Sequence, residues 1–275
     1  MMRTLLVRGM LAGLIAGVLA AVFAYTVGEP HVDAAIALEE SGGPAGHTHS
    51  GDHGTGHADA AGDSGHAHGE AAPVSRGVQS TIGLVTGTGA YGVAVGGLFA
   101  IVFALVQGRI STLRPRVSAA LLAAGAFVVV VAVPFVKYPA NPPAVGQPGT
   151  IGDRTSLYFG LAALSLAFAV IAVVAGWVLA DRVGAWYGGM LAAAGYLAAV
   201  TAIAALFPAP DEVPARFPAS LLWEFRLGSL GVQLVLWTAL GLAFGTLAER
   251  ALRPATPGGA GDPAGPADTP VAVGQ

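Results

Sequence analysis

The sequence predicts an all-α polytopic membrane protein, with six transmembrane helices and one disordered, His-rich extracytoplasmic loop. Three observations carry that prediction. Of the 275 residues, 54% are hydrophobic and only 11% are charged, whereas ordinary soluble domains carry about 25% charged residues. Six charge-poor runs are each long enough for a bilayer, which needs about 20 apolar residues. All seven histidines fall within residues 31–68.

The composition also excludes chemistry. The chain has no cysteine, so disulfides, thiolate metal sites and thiol nucleophiles are absent. His, Asp and Glu remain as the main metal ligands. A formal net charge of −3 without a basic cluster offers nucleic acid no binding face. No G-x-x-x-x-G-K-[ST], H-E-x-x-H or G-x-S-x-G pattern occurs, so P-loop nucleotide hydrolysis and the common hydrolase arrangements are not expected. The chain does not read as an enzyme, and no resident cofactor is implied.

The first transmembrane helix is placed in residues 1–28, with its span at about 5–27. Residues 9–28 carry no charge, and Arg3 and Arg8 precede them. The run exceeds the 7–15 residues of a signal-peptide core. An uncleaved helix is therefore favoured over a secretory signal cut near the Ala35-Ile36-Ala37 triplet. Gly9, Gly13 and Gly17 recur at four-residue spacing, which lets helix backbones approach closely in lipid. The plainer reading of that spacing is a coding bias toward Gly and Ala.

Residues 29–76 form the His-rich loop. They hold eight of the sixteen acidic residues and few large apolar side chains. Such a segment cannot bury enough apolar area to offset chain entropy, so it is expected to be disordered without metal. Its densest part reads His47-Thr-His49-Ser-Gly-Asp52-His53-Gly-Thr-Gly-His57, and His66-Ala-His68 follows. Together with His31 these are the candidate metal ligands, with Asp52, Asp59 and Asp63 as auxiliaries. Neutral imidazole suits Co, Ni, Zn and Cu. A solvated linker with idle histidines is the bland alternative, and a pH sensor is a third, since His titrates near pH 6.5.

A five-helix membrane body is placed in residues 77–250. Its first span lies within the charge-free residues 77–108, where Gly83/Gly87 and Gly92/Gly96 repeat the small-residue spacing, and Thr86, Thr88 and Tyr91 add polar groups. A short basic turn, Arg109 to Arg116, leads to a span at 117–136. The proline-rich connection over residues 134–148 should be rigid and non-helical, because proline fixes φ and lacks an N–H. It contains Tyr138 and Asn141 and is read as an entrance vestibule or a plain stiff loop. Further spans follow at about 156–180, 185–207 and 221–247. An Asp181-Arg182-Val-Gly184 turn separates the first two of these, and the four-proline connection 208–220 separates the last two. Residues 251–275, rich in Gly, Pro and Ala, form a disordered tail.

Six spans put both termini on one side. With the N-terminus inside, the inner face receives Arg3, Arg8, Arg109, Arg114, Arg116, Arg182, Arg250 and Arg253. The outer face receives Arg76, Lys137, Arg154, Arg216 and Arg226, in much longer loops. The positive-inside rule therefore favours cytoplasmic termini and an outer His loop.

Polar side chains inside a membrane are costly and mark function by default. Span six is the richest. Arg226, Ser229, Gln233 and Trp237 follow at helical spacing and share a face, and Glu224 lies nearer the outer end. This face either lines an ion path or holds neighbouring helices by hydrogen bonds. Arg226 is expected to pair with Glu224, Asp153 or Glu29. The candidate pathway residues are Tyr138, Asn141, Glu224, Ser229 and Gln233.

Two stretches, Pro134-Phe-Val-Lys-Tyr-Pro-Ala-Asn-Pro-Pro-Ala-Val-Gly146 with Arg154-Thr155, and Phe217-Pro218 with Leu222-Trp-Glu-Phe-Arg226-Leu-Gly-Ser229-Leu-Gly-Val-Gln233, resemble the CbtA family of predicted cobalt transporter subunits. So does the layout of one helix, a His-rich loop and further spans. The resemblance covers about residues 1–250. It implies uptake of Co2+ across the bacterial inner membrane for cobalamin synthesis, with a small one-helix, His-containing CbtB partner. Nickel or zinc transport, and a non-transporting membrane metal sensor or buffer, remain the alternatives.

Overall fold

The computed structural model describes residues 2–42, 78–109, 111–146, 148–209 and 212–252. Among them the secondary structure is helical, with no strand. We number the helices α1 (Met2–Phe23), α2 (Glu29–Gly42), α3 (Leu84–Val106), α4 (Pro115–Ala126), α5 (Val133–Lys137), α6 (Ile151–Val183), α7 (Ala185–Leu206) and α8 (Ala219–Leu252). Three π-helical turns, Ala24–Gly28, Gln79–Gly83 and Phe127–Ala132, and a 3-10 turn, Pro148–Thr150, join or extend them. Six helical stretches are long and apolar enough to cross a membrane, matching the six predicted spans: Met2–Ser41, Thr81–Val106, Pro115–Lys137, Ile151–Val183, Ala185–Leu206 and Ala219–Leu252. The protein is a multi-pass membrane protein.

Glycine makes the tightest seam. α1 and α3 run antiparallel, with Gly9 against Gly96, Gly13 against Gly92 and Gly17 against Thr88 and Gly89. A Cβ on Gly13 would overlap the Gly92 carbonyl, and one on Gly96 would overlap that of Gly9. The spacing in α1 is thus structural and not a coding bias. Gly87, which shares the pattern on paper, faces open space. A second seam joins α4 and α8, where Gly241 meets Ala123 and Gly245 meets Arg116 and Ala119. Between the seams lies a buried core of Phe99, Phe103, Leu240 and Phe244. Phe244 packs edge-on against both other rings, with centroids 5.3 and 5.0 Å apart. At the terminal end Arg116 pairs with Glu249, and Arg8 donates to the Leu247 carbonyl at 2.5 Å.

α6 and α7 form a separate hairpin, turned at Gly184 (φ +87°). Ser165 of α6 links this hairpin to the rest. Its hydroxyl lies 2.8 Å from the Val129 carbonyl and 2.8 Å from the Tyr196 hydroxyl of α7. The Val129 carbonyl sits in a π-helical turn, where the regular helix ladder is interrupted and carbonyls seek outside donors.

Three sequence expectations are corrected. Residues 29–42 are not loop: the first helix continues through a π turn into α2. Pro30 lacks an N–H and would clash with the preceding turn of a regular helix. The extra residue of the π turn Ala24–Gly28 absorbs that conflict. The whole stretch is 40 residues, about 60 Å at 1.5 Å per residue, so it overruns a hydrocarbon core of about 30 Å. Secondly, Pro134–Lys137 belongs to α5, with Pro134 in the first turn, where proline is tolerated. The non-helical part of that connection begins at Tyr138. Thirdly, α6 starts at Ile151, which places Asp153 and Arg154 in its first turn instead of a loop.

Candidate functional site

The end opposite the termini holds a cavity of about 450 Å3. Its rim is the irregular chain after α5, its walls are α6 and α8, and the connection before α8 closes one side. Such irregular backbone at membrane depth is tolerated where it lines a cavity.

Arg226 of α8 fixes the rim. Its Nη2 donates to Asn141 Oδ1 at 3.1 Å, and its Nε donates to the Ala140 carbonyl at 3.4 Å. These contacts satisfy a carbonyl in a stretch where Pro139, Pro142 and Pro143 prevent regular pairing. Tyr138 ties the same rim to the next connection, donating its hydroxyl to the Pro208 carbonyl at 2.7 Å. Partial burial raises the Tyr138 pKa above its ordinary value, so the phenol keeps the proton it donates. Arg154 and Glu212 form a buried ion pair in the cavity wall, Nε to Oε2 at 3.1 Å. Gly146, with φ +106°, lies over that Arg154: a Cβ there would strike the guanidinium. The backbone conformation favours glycine there, and a side chain would also make the guanidinium move.

Deeper in, Ser229 and Gln233 face the cavity from α8. Ser229 donates to the Phe225 carbonyl at 2.9 Å. The Gln233 side chain lies beside Tyr91 of α3, and its Oε1 is buried without a hydrogen-bond partner. The same side chain hydrogen-bonds Tyr91, and a buried acceptor left unpaired is costly, so Oε1 is open to a donor on any molecule that enters.

Four of the five predicted pathway residues, Tyr138, Asn141, Ser229 and Gln233, therefore meet around one cavity. Glu224 does not. Two residues before Arg226, it lies about 200° around the helix from it at 100° per residue. It instead reaches His31 of α2, with Nε2 to Oε2 at 3.4 Å. Arg226 accordingly donates to the neutral Asn141 side chain and a backbone carbonyl, and Glu224 is engaged elsewhere. Helical phase explains the separation.

His31 is the one predicted metal ligand within the described residues. Its Nδ1 lies 2.6 Å from the Val27 carbonyl, which places the proton on Nδ1 and leaves Nε2 toward Glu224. A ligating histidine commonly donates its other nitrogen to a carbonyl in this way. His47, His49, His53, His57, His66 and His68, with Asp52, Asp59 and Asp63, lie outside the described residues. Among the described residues no three His, Asp or Glu side chains gather into a metal centre.

The sequence reading passed over Arg154, Glu212 and Lys137 as site residues. A signal existed for the first two: opposite charges, one shortly after the first proline-rich connection and one within the second.

Comparison with known proteins decides the family. The sequence model of CbtA, described as a probable cobalt transporter subunit, matches residues 2–249. The chain belongs to the CbtA family. The match spans all six membrane helices and both stretches that build the cavity, the 134–146 segment with Arg154 and the 217–233 segment. CbtA is a family of transporter subunits. No curated protein and no solved structure matches the chain.

Proposed function

We propose that this CbtA protein carries Co2+ inward across the bacterial inner membrane and supplies cobalamin synthesis. The observation that carries the reading is the meeting of Tyr138, Asn141, Ser229 and Gln233 around one cavity, at the helix end from which the His-rich segment departs. Both termini lie in the cytoplasm in this reading, following the distribution of Arg. The histidines from His47 to His68 then collect metal outside. His31 Nε2 and the Glu224 carboxylate offer it a first stop at the membrane surface, and the cavity takes it into the helix bundle together with the ligands it carries. A small one-helix, CbtB-like subunit completes the transporter in the surrounding lipid. Cobalt is cargo here and not a resident cofactor.

The test is flux. Purified protein in proteoliposomes, with and without the one-helix partner, should accumulate Co2+ in preference to Ni2+ and Zn2+. A preference for Ni2+ or Zn2+ would reassign the cargo. Metal binding without flux in either preparation would make the protein a membrane-anchored sensor or buffer.

A further inference from the structure

The charges around the cavity do not suit a bare divalent cation. Three cationic side chains line it: Lys137, Arg154 and Arg226. Its one acidic lining residue among those described, Glu212, is engaged by Arg154 at 3.1 Å. Arg226 spends Nε and Nη2 on neutral acceptors. The Lys137 ammonium, in the last turn of α5, has no hydrogen-bond or ion partner among the described residues. The described lining thus carries two positive charges that no acid offsets. In surroundings less polar than water, like charges repel more strongly than in bulk solvent. Metal entering alone would meet that repulsion, whereas an anion would be drawn in.

We infer that this cavity is a subsite for a small hydroxycarboxylate, which reaches it free or as the ligand shell of a divalent metal. The inference rests on the transport reading only for its second form. A carboxylate matches both the compact Lys137 ammonium and the remaining Nη1 of Arg226. The unpartnered Gln233 Oε1 is an acceptor and cannot serve a carboxylate. It suits a donor on the same ligand, either a hydroxyl group or a water carried by the metal. A cavity of about 450 Å3 lies within the usual range for small-molecule sites, about 300–1,000 Å3. The phenol of Tyr138 and the rings of Tyr158 and Phe159 complete the wall.

The probe is radiolabelled citrate. Its equilibrium binding to the full chain in lipid nanodiscs is measured alone and with equimolar Co2+. Saturable binding should occur, and Lys137→Gln and Arg226→Gln should each weaken it about tenfold, the worth of one charge-assisted hydrogen bond. Arg226→Gln also loosens the rim, so Lys137→Gln is the cleaner variant. Tighter capture with Co2+ identifies the metal complex as the occupant, and equal or weaker capture identifies the free anion. No saturable binding under either condition overturns the inference. Binding that survives Lys137→Gln also overturns it, because citrate held through metal on the His-rich segment would behave that way. Citrate binding without cobalt flux would sink the transport reading and leave this site standing. Flux without citrate binding would do the reverse.

Discussion

The α1–α3 seam and the cavity beside α8 solve opposite problems within one bundle. The seam brings backbones together until there is no room for a Cβ at Gly9, Gly13, Gly92 or Gly96. It holds few polar side chains. The cavity keeps helices apart, props its rim with an arginine and leaves Gln233 Oε1 unpaired. In lipid, where burying apolar groups brings little gain, close packing supplies much of the helix association. Expensive polar groups are retained where something must bind or pass. The contrast separates residues that hold helices together from residues that line a cavity, and it can be broken at either region.

The largest effect is expected at the seam. Gly13→Leu forces a side chain into the Gly92 carbonyl, and overpacking of this kind costs about 3 kcal/mol or more. Folded, monodisperse protein recovered from membranes should fall severely. Gly87→Leu, on the same pattern but facing open space, should yield protein at the normal level. Equal losses in the two variants would show that the seam is not the fastening.

Gly146→Ala sharpens the comparison at the cavity. The left-handed backbone costs a non-glycine residue about 1–2 kcal/mol, and the Cβ displaces Arg154 from Glu212. Cobalt uptake should drop severalfold while membrane levels fall only modestly. Loss of protein in step with activity would make this rim part of the scaffold instead.

His31→Ala should change stability least. The side chain is 22% exposed and its partner Glu224 is 56% exposed, and pairs this open contribute about 0–1 kcal/mol. A thermal melt close to that of the unaltered protein is expected, with uptake reduced only when metal is scarce.

The sequence made some of this visible and hid the rest for identifiable reasons. Six spans were legible because each is a charge-poor run of bilayer length bounded by Arg, Pro or Gly. The α1 glycines were legible as a spacing. Which glycines they meet was not, since Gly83/Gly87 and Gly92/Gly96 look alike until a helix is laid against them. The helical run through Glu29, Pro30 and His31 was hidden by composition: proline and acidic residues read as loop, and a π turn that accommodates proline leaves no local mark. That Tyr138, Asn141, Ser229 and Gln233 line one cavity follows from polarity in apolar surroundings. Glu224 was misplaced because nearness in sequence was taken for nearness on the helix face. Arg154 and Glu212 were overlooked because their pairing depends on α6 starting at Ile151, three residues ahead of Arg154.

The central claim is that flux and selectivity belong to the membrane body, while the histidines only concentrate metal. A segment outside the bilayer cannot carry ions through about 30 Å of hydrocarbon. Cobalt uptake against external concentration tests this most directly, in a variant with all seven histidines replaced and in Gln233→Leu, each inserted at the normal level. The account predicts that the histidine-free protein is impaired at low cobalt and approaches normal uptake at saturation, while Gln233→Leu is impaired at every concentration. A histidine-free protein inactive at saturating cobalt, beside a normal Gln233→Leu, would contradict it and make the His-rich segment the transporting element.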